Sequence, residues 1–178
     1  MMMATLTLVA CGAIGSAGFG FSRLAFAENA PDDPAVAKSV DGKYYDKDGN
    51  PTFHISADGK VDWYTYSGFR HYHSECHVCH GPYGDGSSYA PALKQSLKTI
   101  PYGDFLTIVA NGRQNVTSAT ENVMPSFGHN LNVICHLDDI YVYLRARSDG
   151  ALGRVRPAEH EDKPVAAALA ENKCMAPD

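Results

Sequence analysis

Cys76-His77-Val78-Cys79-His80 is the stretch on which the reading of this chain turns. A C-x-x-C-H run is the spacing of covalent haem attachment. Two thiols separated by two residues, at the end of a helical turn, reach the two vinyl groups of one haem and become thioethers. The histidine that follows is then held on one face of the macrocycle, where its imidazole binds iron. Half of a zinc site uses the same donors, but a structural zinc ion needs four ligands, usually completed by a second close pair. The other cysteines, Cys11, Cys135 and Cys174, form no such pair. A thioredoxin-like C-x-x-C belongs beside a βαβ unit, and nothing nearby resembles one. The motif is therefore read as the attachment site of a single haem c, with Cys76 and Cys79 as anchors and His80 as an iron ligand.

Haem is joined in this way outside the cytoplasmic membrane, so an export signal is expected. Residues 1–27 hold no acidic residue and an apolar stretch from Leu6 to Phe21. They close on Ala25-Phe26-Ala27, a small-x-small cleavage pattern. The opening Met-Met-Met-Ala-Thr lacks a positive charge, and Arg23 falls within the cleavage region. Leu8-Val9-Ala10-Cys11 resembles a lipoprotein box, with a hydrophobic lead too short to favour it. No other stretch approaches the roughly 18 apolar residues of a membrane span. A soluble, periplasmic mature protein is expected. Of the 178 residues, 151 remain after cleavage, enough for one domain with a core. Arg23 is the sole charge lost, so the net charge moves from −5 to −6, which argues against a nucleic-acid partner. Cys135 and Cys174 then stand as an even pair in an oxidising compartment. A disulfide between them is expected, with two independent buried thiols as the alternative.

The organisation expected along the chain is a signal peptide at 1–27, a flexible leader at 28–42 and a β-hairpin extension at 43–66. A haem domain at 67–150 and a C-terminal tail at 151–178 follow. Aromatic and β-branched residues between Asp-Gly punctuation, through Lys60-Val61-Asp62-Trp63-Tyr64-Thr65-Tyr66, suggest one or two short hairpins. Asp46, Asp48 and Asn50 faintly echo a calcium loop, but Gly49 and Pro51 fit turn chemistry better. A helix is expected from about Gly68 into the haem motif, where Gly68, Tyr72 and Cys76 share one face. Gly81 to Ser88 reads as a loop. A short helix should hold Tyr102 to about Asn111, ended by Gly112. The strongest helix signal runs from His136 to about Arg147. There Leu137, Ile140, Tyr141 and Leu144 follow i, i+3, i+4, i+7, with Asp138 and Asp139 at one end and Arg145 and Arg147 at the other. The tail, rich in Gly, Pro and charge, reads as disorder-prone unless Cys174 anchors it.

Over residues 67–147 the chain resembles the single-haem class I cytochrome c family. Gly68 and Tyr72 match the glycine and aromatic of that family's first helix, and Ile140 and Tyr143 match the pair on its last. The resemblance implies that these helices cross closely and shield one haem edge. Pro91-Ala92-Leu93 resembles the loop whose proline carbonyl accepts the N–H of the proximal imidazole, here His80. Asn122-Val123-Met124-Pro125-Ser126-Phe127-Gly128 resembles the distal methionine loop, which makes Met124 the sixth ligand, a soft, neutral thioether. His129, His71 and His73 are the candidates for bis-histidine ligation instead. His54, His77, His136 and His160 are expected at the surface or in packing. Arg113 is either a partner of a haem propionate or an exposed helix-end arginine. The fold class implied is mainly α: helices around one covalent haem, a small N-terminal β-hairpin extension and a long disulfide-tethered tail.

Longer segments, from Asp62 to Gly68, Tyr72 to Gly81 and Leu137 to Arg147, are similar to the methanol-metabolism cytochromes with four cysteines in the mature chain. Cys135 and Cys174 fit as the additional pair. That resemblance implies a one-electron carrier and not an enzyme. Its electrons would come from a PQQ-dependent methanol or other alcohol dehydrogenase, with a lanthanide or calcium ion, and pass to a downstream cytochrome c or oxidase. The competing readings are a carrier for an oxidase or reductase unrelated to alcohol oxidation, and a haem sensor or enzyme in which Met124 is displaceable.

Overall fold

The computed structural model describes residues 36–116 and 121–176. The expected signal peptide and most of the leader lie outside the described residues. Three short antiparallel strands come first: β1 (Lys38–Val40), β2 (Lys43–Tyr45) and β3 (Pro51–Thr52), side by side in that order. Asp41 (φ 52°) and Gly42 (φ 78°) join Val40 to Lys43. Positive φ at both positions is what a two-residue type I′ hairpin turn demands. Strand pairing thus reaches into the segment expected as leader. In the next turn the Asp46 carboxylate accepts the N–H groups of Asp48 and Asn50, each at 2.9 Å, and pairs with Arg145 at 2.8 Å. It is a turn, as the sequence favoured.

Helix α1 spans Trp63–Glu75, so Trp63 to Tyr66 are helical, not part of a hairpin. Asp62 is the reason. Its Oδ1 accepts the N–H of Thr65 at 2.9 Å, while Oδ2 accepts the N–H of His54 at 2.8 Å. An aspartate N-cap satisfies an otherwise orphaned helix donor and here outweighs the strand preference of the aromatics. A short α2 (His77–His80) and α3 (Leu93–Ser96) precede α4 (Tyr102–Asn111), which has the expected bounds. Strands β4 (Arg113–Val116) and β5 (Glu121–Met124) pair antiparallel, a hairpin the sequence reading did not foresee. Then come α5 (Leu131–Ile134), α6 (Leu137–Ser148) and α7 (Val165–Met175). The expected helix at 136–147 is α6, displaced by one residue.

The core is organised on the crossing of α1 and α6. A Cβ added at Gly68 would lie 1.8 Å from the Asp139 carbonyl oxygen, so the two backbones touch where no side chain fits. Tyr72 and Tyr143 flank that contact, both fully buried, with ring centroids 5.3 Å apart. Burying side chains of this size contributes about 2 kcal/mol each. Ser67 Oγ donates to Asp139 Oδ2 at 2.6 Å across the same crossing.

The segment expected as a tail folds back. Val61 exchanges backbone hydrogen bonds with Glu159 and Glu161, and His160 stacks on Tyr66 with ring centroids 3.7 Å apart. Cys135 and Cys174 are joined in a disulfide, which ties α7 to the start of α6. Ala167 is the sole buried residue of α7. Among the described residues no helix is long and apolar enough to cross a membrane.

Candidate functional site

Cys76 lies between α1 and α2, its N–H bonded to the Tyr72 carbonyl at 2.9 Å, and the His80 N–H bonds to the Cys76 carbonyl at 3.0 Å. This tight turn places Cys76 half-buried, Cys79 exposed and His80 buried. Burial first, then the neighbouring Glu75 and Cys79, push the Cys76 thiol up to about 12. A thiol so raised is no activated nucleophile, which speaks against a dithiol oxidoreductase motif.

The His80 ring is oriented by a backbone carbonyl. Nδ1 lies 2.9 Å from the Pro91 oxygen. A carbonyl can only accept, so the proton sits on Nδ1 and Nε2 keeps its lone pair for a metal. The loop carrying Pro91 is fastened at several points. Gly86 N–H donates to the His80 carbonyl at 2.8 Å, and Lys94 N–H to the Gly84 carbonyl at 3.1 Å. Gly86 has φ +85°, and a Cβ there would fall 2.7 Å from the Ala92 nitrogen, so only glycine lets the loop close. The Tyr72 hydroxyl donates to the Gly81 carbonyl and accepts the Gly84 N–H at 3.0 Å. Asp85 binds Lys94 at 2.5 Å and Arg154 at 2.7 Å. Lys94 before all holds its carboxyl below the usual range.

Met124 ends β5, so the methionine expected in a loop closes a strand instead. The Phe127 N–H bonds to the Val109 carbonyl at 3.1 Å and the Gly128 N–H to that of Ala110 at 3.0 Å, anchoring the following segment on α4. Cys76, His80 and Met124 thereby line one cleft. Its other walls are Leu93, Ser96, Leu97 and Ile100, then Phe105, Ile108 and Val109 of α4, with Phe127, Ile140 and Leu144. The cleft is narrow between these walls and partly open to solvent. A thiol, an imidazole, a hydroxyl and a thioether are the polar side-chain groups in an otherwise apolar lining. That donor set fits a flat, apolar macrocycle with a central iron. It suits zinc poorly, since no group of three His, Cys, Asp or Glu that could hold a metal ion occurs among the described residues.

Other residues singled out from the sequence stand elsewhere. Tyr72 is absent from the lining and clamps the loop behind it. Pro91 is exposed and acts through its carbonyl. Arg113 is exposed on β4, where its backbone pairs with that of Met124. His129 is exposed, His71 stacks on His136 at 3.5 Å and His73 lies against Phe69 at 4.1 Å. None of the three histidines lines the cleft. The apolar wall escaped the sequence reading, although Leu93, Leu97 and Ile100 recur at i, i+4 and i+7, a pattern that could have found it.

No family model matches the chain. It is 53% identical to cytochrome c-553I of Paracoccus denitrificans over 134 residues, 75% of this chain and 59% of that relative's length. It is 39% identical to cytochrome c-555 of Methylococcus capsulatus over 105 residues, 58% of this chain and 76% of the relative. The crystal structure of the c-type cytochrome XoxG from Methylobacterium extorquens AM1 superposes with a TM-score of 0.75 at 57% identity, covering 82% of this chain and 89% of that one. Similarity of this depth over most of the chain, with the C-x-x-C-H turn set beside an apolar cleft, means that the chain belongs to the c-type cytochromes, which hold haem c covalently.

Proposed function

We propose that this chain is a periplasmic one-electron carrier that accepts electrons from a PQQ-dependent methanol or other alcohol dehydrogenase and passes them to a downstream cytochrome or oxidase. In this reading Cys76 and Cys79 would hold one haem covalently, and His80 and Met124 would bind its iron. The observation that carries it is the convergence of His80 and Met124 on one apolar cleft, the imidazole already oriented by Pro91. When bound, the haem supplies a one-electron iron couple. The Pro91 carbonyl raises the ligand basicity of His80, and the Met124 thioether favours the reduced metal. The apolar walls exclude water. If His80 and Met124 both held the iron, no site would remain open for substrate chemistry, and the protein would carry electrons without transforming a substrate.

The exposed Cys79 and its neighbours Val78 (73% exposed) and Tyr89 (79% exposed) mark the edge where electrons would enter. Contact there is expected to be small and transient, because a carrier must release its partner. Stopped-flow mixing with purified quinoprotein dehydrogenase and its alcohol tests the donor. Fast reduction that requires the alcohol is expected; no reduction at a useful rate would remove the partner and leave the carrier. A weak far-red ferric band, lost in Met124→Ala, tests the thioether ligand. Absence of that band in the parent, with rapid binding of carbon monoxide, would favour a sensor or enzyme.

A further inference from the structure

Asp139 is a buried carboxylate, 8% exposed, at the heart of the α1–α6 crossing. Its carbonyl is the group that Gly68 meets, and the next residue, Ile140, forms part of the cleft wall together with Leu144. Among the described residues its side chain accepts one hydrogen bond, from Ser67 Oγ at 2.6 Å. One neutral donor does not compensate a buried negative charge. Lys43 on β2, a cation that faces it, is already paired with Asp138 at 2.5 Å. Asp62 at the start of α1 and Tyr64 on α1 also face Asp139, neither of them cationic. Burial, the largest influence, pushes the Asp139 carboxyl up to about 7. On its other side Asp139 lines a second, solvent-open groove between the N-terminal sheet and α7, shared with Lys43, Asp138, His136 and Glu171. That groove opens to solvent beside Asp139.

We propose that Asp139 couples the electron held in the cleft to a proton, binding one from solvent as the electron arrives and releasing it as the electron leaves. The inference rests on the carrier reading above. The electron comes from the donor dehydrogenase, or from an electrode in the test. The proton comes from water through the groove and adds to a carboxylate oxygen, so one negative charge gained in the interior is offset by one proton, in part or in full. The physical basis is reciprocal linkage: in a poorly polarisable interior an added electron raises the proton affinity of a nearby acid, and a bound proton raises the affinity for the electron. Between the carboxyl pKa of the oxidised protein and the higher one of the reduced protein, the midpoint potential must fall as pH rises.

Spectroelectrochemical titration of the holoprotein through the neutral range tests this. In the parent the potential should drop with rising pH around 7, and Asp139→Asn, which keeps the shape and an acceptor for Ser67, should lose that drop. Ser67→Ala, which removes the donor to the ionised form, should move the sloping region to higher pH. Redox-difference infrared spectra of the parent should gain a protonated-carboxyl band on reduction, shifted in heavy water and absent in Asp139→Asn. A reversible wave with equal slopes in parent and variant and no such band would overturn the coupling alone. Absence of any reversible wave in the parent would overturn it together with the carrier reading.

Discussion

The α1–α6 crossing and helix α7 of the C-terminal arm are held to the molecule by opposite means. At the crossing two backbones meet at Gly68, and Tyr72, Tyr143 and Val142 are fully buried around the contact. The arm buries one alanine of α7 and leaves Val165 (76%) and Leu169 (64%) exposed, yet it carries the covalent link from Cys174 to Cys135. A region held by packing should fail when one methyl is added and ignore reductants. A region held by one bond should tolerate changes on its surface and fail when that bond is removed. The cleft belongs to the first kind: Ile140 and Leu144 of α6 form its wall, and Cys76 follows directly from α1.

The largest expected effect lies in the arm. Replacing Cys135 and Cys174 together by alanine should lower the free energy of unfolding in urea by about 4 kcal/mol for a closed loop of this length. An unchanged midpoint would show that packing, not the bond, holds α7. At the crossing, pH is the next lever. The ordinary value for Asp139 is 3.8 and the folded value about 7, so between them the folded state holds more protons than the unfolded state. Stability therefore falls as pH rises from about 4 to 7 and levels off above, by on the order of 4 kcal/mol. Asp139→Asn should remove that part of the fall, seen as a gain over the parent in urea melts at alkaline pH. Gly68→Ala forces a methyl against the Asp139 carbonyl and should cost about 3 kcal/mol. A cost near zero would mean that the helices separate easily. Tyr72→Phe removes the hydroxyl that bridges the Gly81 carbonyl and the Gly84 N–H, leaves those two groups only their own 3.3 Å bond, and should cost about 1 kcal/mol, with a change in the spectrum of the haem protein because the same loop carries Pro91. Leu169→Ser, on the open face of α7, should change stability by less than about 0.5 kcal/mol.

The same contrast explains which features were legible in the sequence. The crossing was legible through the family resemblance, whose matching residues Gly68, Tyr72, Ile140 and Tyr143 each serve one dense contact, and a dense contact constrains residue type. The bond from His80 to the Pro91 carbonyl was reachable through the family resemblance of Pro91-Ala92-Leu93 and not from spacing. The disulfide followed from parity and compartment. What escaped depends on weaker or more distant causes. Trp63 to Tyr66 look like strand until the Asp62 carboxylate is seen capping the helix, although Asp62-x-x-Thr65 carries that signal. The first hairpin hid in Val40-Asp41-Gly42-Lys43, a type I′ sequence set in a polar segment. Helix α7 begins at Pro164 and runs through Val165-Ala166-Ala167-Ala168, a helix start overshadowed by the charge and proline around it. The β4–β5 hairpin has no such signal in its strands, and its role is to carry Met124 back toward α4.

Intact mass of the mature protein, purified after export, tests the central claim most directly. The parent should weigh one haem more than its polypeptide, and a variant with Cys76 and Cys79 both replaced by serine should lose that added mass. A parent of bare polypeptide mass, or added mass that survives both replacements, would contradict the account.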